Sequence, residues 1–327
     1  MKSTIKNILF LGGTGFLGSN VLHQMSARHP ADYKLLVISR RSYPMPVLRK
    51  NITYVQADFT NAHDMERIFS GHKIHEVFHF ISTTVPANSN SNILKDAEAN
   101  IISTIRLLDL IVRYDVNKIT YLSSGGAIVR DPSPLLFPED SPYRFRSSYG
   151  VVKATTEEYI RLYREIHGIN YLIIRPSNPF GLYHHSNING LVNLSIRRAL
   201  QAEKMLVWGD GSSEKDYIFS TDFADILCDL HDSGISNTII NIGSGTTLSI
   251  NDVLLLVKEH IPGFSWTYTK EKSFDTSVSG FFLEQLYSLV SPAYTPTDEA
   301  IRRTVEWELA RMKSQKTSSK LQINYEW

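Results

Sequence analysis

The sequence contains very little cysteine: Cys228 is the one cysteine among its 327 residues. A single thiol cannot form an intramolecular disulfide, and it excludes a zinc site built from several cysteines. Cys228 lies in an apolar run with helical spacing, which is typical of a small core residue. The cysteine count therefore gives no support for secretion or an oxidising compartment.

A strong charge of one sign and long apolar runs are also missing. The formal net charge is +1, so there is no basic field to hold nucleic acid. No apolar stretch reaches about 18 residues, which predicts that the chain does not span a membrane. The chain begins with Met1-Lys2 and runs into a strand, without a separate apolar signal region and cleavage site. We expect a cytoplasmic protein that binds neither nucleic acid nor membrane.

Short apolar strands alternate with helical segments along the first half of the chain. Strands are predicted at residues 8–11, 35–38, 52–55, 77–81, 119–122 and 171–174. Helices are predicted at residues 16–28, 62–69, 97–114 and 149–167. This alternation is typical of βαβ units, so the sequence predicts an α/β fold with a buried, doubly wound parallel sheet.

The pattern changes after about Pro179, where glycine and asparagine become frequent. We predict two parts: residues 1–178, and a smaller lobe at 179–327 that is interwoven with the first and returns some segments to it. In this second part, strands are predicted at 205–208 and 239–242 and helices at 191–201 and 250–260. The polar, basic stretch at 311–319 is expected to be frayed or exposed to solvent.

A glycine-rich loop joins the first strand to the first helix. Gly12, Gly15 and Gly18 follow a G-x-x-G-x-x-G spacing, with Phe16 and Leu17 between the last two. Such a loop lets the chain turn tightly, approach a pyrophosphate closely and pack the helix against the strand. The free N–H groups of the helix N-terminus then face the phosphates. The position after a strand and before a helix favours a dinucleotide cofactor.

The end of the second strand distinguishes the two nicotinamide cofactors. An acidic residue there would accept both ribose hydroxyls of NAD, but this chain has Ser39 and Arg40. Arginine pairs with a 2′-phosphate, which favours NADP or tolerance of both NAD and NADP. Asp58 and Phe59 follow the third strand, where the adenine ring is expected.

A Y-x-x-x-K motif lies at the start of a long predicted helix. Tyr149 and Lys153 are four residues apart, so they share one helix face. A lysine ammonium there is expected to lower the phenol pKa and to hold the cofactor ribose. The tyrosine can then act as a general base or acid toward a sugar hydroxyl or ketone.

Taken together, the ordered motifs resemble the extended short-chain dehydrogenase/reductase family, and within it the NAD-dependent epimerase/dehydratase group typified by UDP-glucose 4-epimerase. The motifs are GGTGFLG at 12–18, ADF at 57–59, VFHFIS at 77–82, YLSSGG at 121–126, SYGVVK at 148–153, RPSNPFG at 175–181, WGDGSSEKDYIF at 208–219 and NIGSG at 241–245.

The resemblance implies a Rossmann-like domain that binds NAD or NADP and a smaller lobe for a nucleotide sugar. It implies that Tyr149 and Lys153 are the catalytic pair and that Asn100 lies near the cofactor. It also places residues beside the nicotinamide and the substrate: Phe80, Ser82, Pro176 and Asn178. Members of the family commonly form homodimers through two helices per subunit, for which residues 97–114 and 149–167 are the candidates.

The chain departs from the family pattern after the fifth strand. Gly125 stands where the family has its catalytic Ser or Thr, so we assign that hydrogen-bonding role to Ser124. The Asp-Glu pair of the 4,6-dehydratases is replaced by Gly126 and Ala127. Because elimination of water needs that acid and base, we reject a dehydratase.

Two arginines that usually clamp the substrate pyrophosphate are also replaced. Lys215 stands in D-G-x-x-x-R-D-Y, and Lys272 stands in R-P-x-D. Lysine neutralises phosphate but lacks the bidentate fork of arginine. The resemblance also puts Trp208 beside the nucleotide base. No metal site is expected, since His184 and His185 lack partners at ligand spacing.

Three functions remain open. The first is a nucleotide-sugar 4-epimerase, with a UDP-hexose as the expected substrate. The second is an NADPH-dependent reductase of a nucleotide 4-keto sugar, which Arg40 favours. The third is a non-catalytic dinucleotide-binding scaffold, but the intact Tyr149–Lys153 motif argues against it.

Overall fold

The computed structural model describes residues 5–40, 46–128, 136–270 and 278–322, and the statements below concern these residues. A parallel seven-stranded sheet forms the centre of the first part. Its strands are β1 (Lys6–Leu11), β2 (Tyr33–Ser39), β3 (Ile52–Gln56), β4 (Glu76–His79), β5 (Lys118–Leu122), β7 (Asn170–Pro176) and β11 (Thr238–Ile242). The order across the sheet is β11-β7-β5-β4-β1-β2-β3.

Helices cover both faces of this sheet, which agrees with the predicted doubly wound α/β class. They are α1 (Phe16–Arg28), α2 (Ala62–Gly71), α3 (Ile93–Ala97), α4 (Ser103–Arg113), α5 (Gly125–Ile128), α6 (Ser148–His167) and α8 (Ser220–Asp232). Helices α1 and α8 pack together, and α4 packs with both α2 and α6. Cys228 is buried in α8, within the core between that helix and the sheet.

The remaining elements build the smaller lobe. They are β6 (Leu136–Phe137), β8 (Asn178–Phe180), α7 (Leu191–Leu200), β9 (Met205–Trp208), β10 (Glu214–Phe219), β12 (Thr247–Ser249), α9 (Ile250–His260), β13 (Trp266–Thr269), β14 (Val278–Phe281), α10 (Glu284–Leu289) and α11 (Thr297–Gln322). A second sheet has the order β12-β10-β14-β6, with β8 beside β10, and β13 pairs with β9. Helices α7, α9 and α11 enclose a separate apolar core.

The two parts of the chain are interwoven. Strand β11 lies beyond residue 178, yet it pairs with β7 in the first sheet. Strand β6 lies before residue 178, yet it pairs with β14 in the second sheet. A boundary between 178 and 179 therefore stays a proposal for the main division, with β11 and α8 returning to the first part.

Three expectations about local structure need correction. The helix predicted from residue 97 begins earlier, because α3 starts at Ile93 and continues through a π-helical turn at Glu98–Ile102 into α4. Strand β4 ends at His79, two residues earlier than predicted. The stretch at 311–319 lies inside helix α11 and so is not a frayed tail, although Lys313 and Ser314 are exposed as expected.

Of the helices in the described ranges, none combines the length and the apolar character that crossing a bilayer requires. Location in the cell stays a prediction.

Candidate active site

The predicted site residues of the first part gather at one edge of the sheet. Gly12 follows β1, Arg40 follows β2, Asp58 follows β3, Phe80 follows β4 and Ser124 follows β5. Because these strands are parallel, all five positions lie at the carboxyl ends of their strands. The order of the sheet reverses at β1, between β2 and β4, which is where ligands bind in open α/β sheets.

The glycine loop packs closely against the end of β4 and the start of α1. Gly12 has a φ of 88°, and an added Cβ would lie 2.9 Å from the carbonyl carbon of Phe80. A Cβ on Gly18 would overlap the carbonyl oxygen of Gly12. Gly15 precedes α1, and no side chain caps that helix. The uncapped helix start and the absence of Cβ atoms leave a cradle that fits a dinucleotide pyrophosphate.

The aromatic side chains near this edge point mostly into the protein. Phe59 and Phe80 are 5% and 8% exposed and belong to the two cores flanking the sheet. Any contact with adenine or nicotinamide at these positions would therefore involve the main chain rather than the ring face. Phe16 packs edge-on against His184, with the ring centroids 4.7 Å apart.

The ends of β2 and β3 adjoin each other as the cofactor assignment requires. Ser39 is buried, and its carbonyl accepts a hydrogen bond from the Ala57 amide at 3.1 Å. Arg40 is exposed, as its proposed role with a 2′-phosphate requires. The Asp58 carboxylate accepts hydrogen bonds from the amide and hydroxyl of Thr60 at 2.9 and 2.8 Å.

Tyr149, Lys153 and Ser124 come together at the N-terminal end of α6. The Ser124 side chain lies beside Tyr149 and acts to lower the pKa of the phenol. The Lys153 ammonium lies 5.6 Å from the centre of the Tyr149 ring and 4.8 Å from that of Tyr121. It donates a hydrogen bond of 2.7 Å to the carbonyl oxygen of Leu122. The structure thus places Ser124 beside Tyr149, the position that its assigned role requires.

The pKa of Tyr149 differs from the sequence-based expectation. Burial raises it to about 12, and the hydrogen bond from Ser124 only partly opposes this. Lys153 is itself buried, and burial lowers its pKa to about 7, which Glu157 and Asp96 oppose. Burial therefore dominates, and the net shift of the phenol pKa is opposite to the lowering that was expected from the lysine.

Gly125 is explained by an aromatic ring that sequence reasoning did not identify. A Cβ on Gly125 would overlap the ring of Phe281, which is buried in β14. A serine or threonine at this position is thus incompatible with Phe281. The hydroxyl side chain beside Tyr149 is instead that of Ser124, one residue earlier.

We expect Gly125→Ser to lower the free energy of unfolding by about 1–3 kcal/mol, because the new side chain enters filled space. Chemical denaturation measures this change. Gly126→Ser is the matched control, since a Cβ on Gly126 has no neighbour within 4 Å. Combining Gly125→Ser with Phe281→Leu should cost less than the sum of the two changes. Equal destabilisation by the two serine variants would refute the overlap.

Asn100 lies in the π-helical turn and organises the loop after β4. Its side-chain oxygen accepts a hydrogen bond from the Thr83 amide at 3.0 Å, and its amide nitrogen donates to Thr83 and Asp96. Ser82 is exposed and donates to the carbonyl oxygen of Thr84 at 2.9 Å. Asn100 therefore shapes the chain where the nicotinamide is expected.

A buried ion pair supports the same region, and the sequence analysis did not find it. Glu157 lies one turn beyond Lys153 in α6 and is fully buried. Arg175 donates to both of its carboxylate oxygens, at 3.0 and 2.6 Å. Arg175 belongs to the RPSNPFG motif, so this motif braces the catalytic helix from β7.

The proposed substrate-side residues lie along the second sheet. Asn178 in β8 donates to the carbonyl oxygen of Asp216 in β10 at 2.9 Å, and Pro176 ends β7. Lys215 is half-buried in β10. Trp208 is 41% exposed at the end of β9. The proposed Lys272 lies outside the described residues.

Asp216 connects two motifs that are distant in sequence. Its buried carboxylate accepts hydrogen bonds from the amides of Ser244 and Gly245 at 2.8 and 2.9 Å. The NIGSG segment is thereby held against the strand that carries Lys215. Burial raises the pKa of Asp216, and these hydrogen bonds oppose the shift.

Across the described ranges, no three His, Cys, Asp or Glu side chains lie close enough together to hold a metal ion.

The fold agrees with comparisons to known proteins. Residues 8–243 match the sequence profile of the NAD dependent epimerase/dehydratase family. The chain belongs to this family. The resemblance inferred from the motifs is thereby confirmed, and so is the Rossmann-like fold class. The chain is accordingly an enzyme of an NAD-dependent, nucleotide-sugar-modifying family.

Relatives within the family carry out more than one reaction. A Methanocaldococcus jannaschii protein that is provisionally named UDP-glucose 4-epimerase is 29% identical over 92% of this chain and 97% of its own length. The Escherichia coli dTDP-4-dehydro-6-deoxyglucose reductase is 24% identical over 94% of this chain and 98% of its own. The Thermotoga maritima UDP-glucose 4-epimerase, solved with UDP-glucose, has a TM-score of 0.86 and 27% identity, covering 94% of this chain and 99% of that one.

Proposed function

We propose that the protein is a nucleotide-sugar 4-epimerase that oxidises C4 of its substrate transiently and then reduces it on the other face. The observation that carries this proposal is the Tyr149 side chain at the carboxyl edge of the sheet, beside Ser124 and with the Lys153 ammonium 5.6 Å from its ring centre. A UDP-hexose is the proposed substrate, by analogy with the T. maritima relative.

The chain's own residues fit a bound NAD or NADP. Gly12, Gly15 and Gly18 with the uncapped start of α1 would hold the pyrophosphate, and Asp58 would meet the adenine end. Lys153 would hold the nicotinamide ribose. When bound, the nicotinamide supplies the hydride chemistry.

Proton transfer falls to Tyr149. Its oxygen would take the proton of the C4 hydroxyl as hydride leaves C4, and would return a proton when hydride adds to the other face of the 4-keto sugar. Ser124 would hold the same oxygen in place. Burial raises the pKa of Tyr149 to about 12, which is too high for an efficient base. Cationic charge near the phenol is therefore required for turnover.

Elimination of water is not supported at this site. A 4,6-dehydratase would need an acid and a base just after Ser124, whereas Gly126 and Ala127 occupy those positions in α5. We therefore propose epimerisation rather than elimination, even though dehydratases belong to the same family.

A nucleotide 4-keto sugar reductase is the second candidate. Exposed Arg40 at the end of β2 favours NADPH, and the E. coli relative is named as a reductase. The same Tyr149 would then act only as a proton donor. In both candidates, Asn178, Trp208, Lys215 and Lys272 are the proposed contacts to the nucleotide.

Cofactor content and net redox change separate the two candidates. Mass spectrometry of the purified protein identifies retained NAD or NADP, and NMR then follows UDP-glucose and UDP-galactose with NAD present. Interconversion without net change in reduced cofactor is the expected result. Release of oxidised cofactor in proportion to product would establish the reductase instead, and failure to bind either dinucleotide would refute both.

We also propose a homodimer that buries one face of α6 and the helices before it. Val151, Leu162 and Ile166 share a face of α6 and are 41%, 47% and 62% exposed. Ile93 and Leu94 in α3 are 61% and 71% exposed. Apolar side chains this exposed on neighbouring helices are typical of a partner interface.

Leu162→Glu is expected to convert this dimer into a monomer, because a carboxylate would be buried without a partner at the interface. Light scattering after size-exclusion chromatography measures the mass. Leu255→Glu is the matched control, since Leu255 is 52% exposed on α9, away from α6. A wild-type protein that is already monomeric would refute the homodimer.

A further inference from the structure

Asp96 is a buried carboxylate to which neither the motifs nor the proposed mechanism gives a role. It lies in α3 and is 1% exposed. Its Oδ2 accepts a hydrogen bond of 2.6 Å from the Ser148 hydroxyl, and its Oδ1 accepts one of 2.6 Å from the Thr84 hydroxyl. Its Oδ1 also accepts a hydrogen bond of 2.9 Å from the Asn100 side chain.

These three donors belong to three different parts of the site. Ser148 is the first residue of α6 and directly precedes Tyr149. Thr84 lies in the loop after β4, and Asn100 lies in the π-helical turn that holds this loop. One carboxylate therefore joins the loop at the proposed nicotinamide end to the helix that carries Tyr149 and Lys153.

A second contact fixes the same helix start. The Ser148 amide donates to the Asn90 side chain at 2.8 Å, so Ser148 is held by both its main chain and its side chain. All three side chains that contact Asp96 donate hydrogen bonds to it, as an ionised carboxylate requires. The Asp96 carboxylate thus contacts the residue that directly precedes the proposed proton-transfer group.

We propose that Asp96 is a positioning residue that fixes the start of α6 and sets the electrostatic environment of Tyr149 and Lys153. The effect of Asp96 on catalysis rests on the proposed function. Its role in holding the start of α6 does not depend on which reaction the protein catalyses.

The electrostatic part has a defined sign. Asp96 raises the pKa of Tyr149, after burial as the main cause, and it also raises the pKa of Lys153, against the lowering by burial. The other ionisable groups near this pair are Glu157 of α6, His79 of β4 and Tyr121 of β5. Of these, Glu157 is already paired with Arg175.

Asp96→Asn is the direct test, because it keeps the size and most of the hydrogen bonding but removes the charge. Without this charge the Tyr149 phenolate forms more easily and the Lys153 ammonium loses its proton more easily. Both limbs of the pH profile of kcat/KM should therefore move to lower pH, by on the order of half a unit. If both limbs of the kcat/KM profile lie at the same pH in Asp96→Asn as in wild type, the electrostatic role is overturned.

Two further variants separate charge from position. Ser148→Ala removes the hydrogen bond but keeps the carboxylate, so it should lower kcat without moving either limb. Glu98→Gln removes an exposed carboxylate two residues after Asp96. It should change neither kcat nor the pH profile. A shift of the limbs by Glu98→Gln as large as that by Asp96→Asn would show a general charge effect and refute the assignment.

Hydrogen exchange tests the positioning even if the proposed reaction is wrong. In Asp96→Ala, which removes all three hydrogen bonds to the carboxylate, the amides of Thr83 and Ser148 should exchange faster than in wild type, since both depend on the segment that Asp96 fastens. Unchanged exchange at both amides would overturn the positioning role. A wild-type protein that epimerises no sugar nucleotide would instead refute the proposed function and leave the exchange result standing.

Discussion

Tyr149→Phe is expected to lower kcat by about 10²–10⁴-fold, the range typical of losing a general acid–base group. The phenylalanine ring keeps the packing but has no hydroxyl to exchange a proton with the substrate or to bond Ser124. The dissociation constant of NAD should stay within a few-fold of that of the wild type. Steady-state kinetics and calorimetric titration with NAD measure the two quantities.

Tyr163→Phe is the matched control for this experiment. Tyr163 lies on the same helix, and its hydroxyl donates to Asp109 at 2.6 Å, on the outside of the protein. It should retain wild-type kcat. If Tyr149→Phe had the kcat of the wild type, Tyr149 would not be the proton-transfer group. The site would then be non-catalytic or would use a different catalytic residue.

Gly18→Ala should weaken cofactor binding by about ten- to a hundredfold. Its Cβ would overlap the Gly12 carbonyl oxygen, so the loop must move away from the helix. A misfit of about 1–3 kcal/mol is typical of such overpacking, and about 1.4 kcal/mol corresponds to a tenfold change in a dissociation constant. Calorimetric titration of cofactor-stripped protein with NAD measures the effect, with circular dichroism as a check of folding.

Gly71→Ala provides the control for Gly18→Ala. Gly71 ends α2, and a Cβ there has no neighbour within 4 Å. NAD should bind this variant as tightly as wild type. If Gly18→Ala also bound NAD with unchanged affinity, the glycine loop would not be the cofactor cradle.

Much of the first sheet could be predicted from the sequence because its signals are local. Helix α1 has the predicted bounds, and the strands of the first part, apart from β3 at the sheet edge, carry short apolar runs that are buried on both faces. The spacing of Tyr149 and Lys153 fixes their helix face without any knowledge of the fold. Ser124 could be chosen because it is the adjacent hydroxyl.

The second sheet could not be predicted in the same way. Strands β6, β10 and β14 come from segments that are distant in the sequence, yet they lie side by side in one sheet. A side chain larger than glycine at position 125 would overlap the ring of Phe281. This overlap depends on the pairing of the second sheet, because β14 carries the ring. No local pattern connects two residues so far apart in the sequence.

Burial also explains why the pKa shifts of Tyr149 and Lys153 could not be predicted from the sequence. The motif alone suggested that Lys153 lowers the phenol pKa, but sequence spacing carries no information on desolvation. In the folded protein, burial shifts the pKa of Tyr149 upward and that of Lys153 downward. Asp96 was overlooked for the same reason, since an aspartate in a polar segment gives no sign that it will be buried.

The central claim is that hydride leaves C4 of the sugar and returns to the same carbon. Turnover of UDP-glucose deuterated at C4, followed by mass spectrometry and NMR of the UDP-galactose formed, tests this directly. The account predicts that deuterium is retained at C4, with no net production of reduced cofactor. Loss of the label to water, or consumption of NADPH in proportion to product, would contradict it.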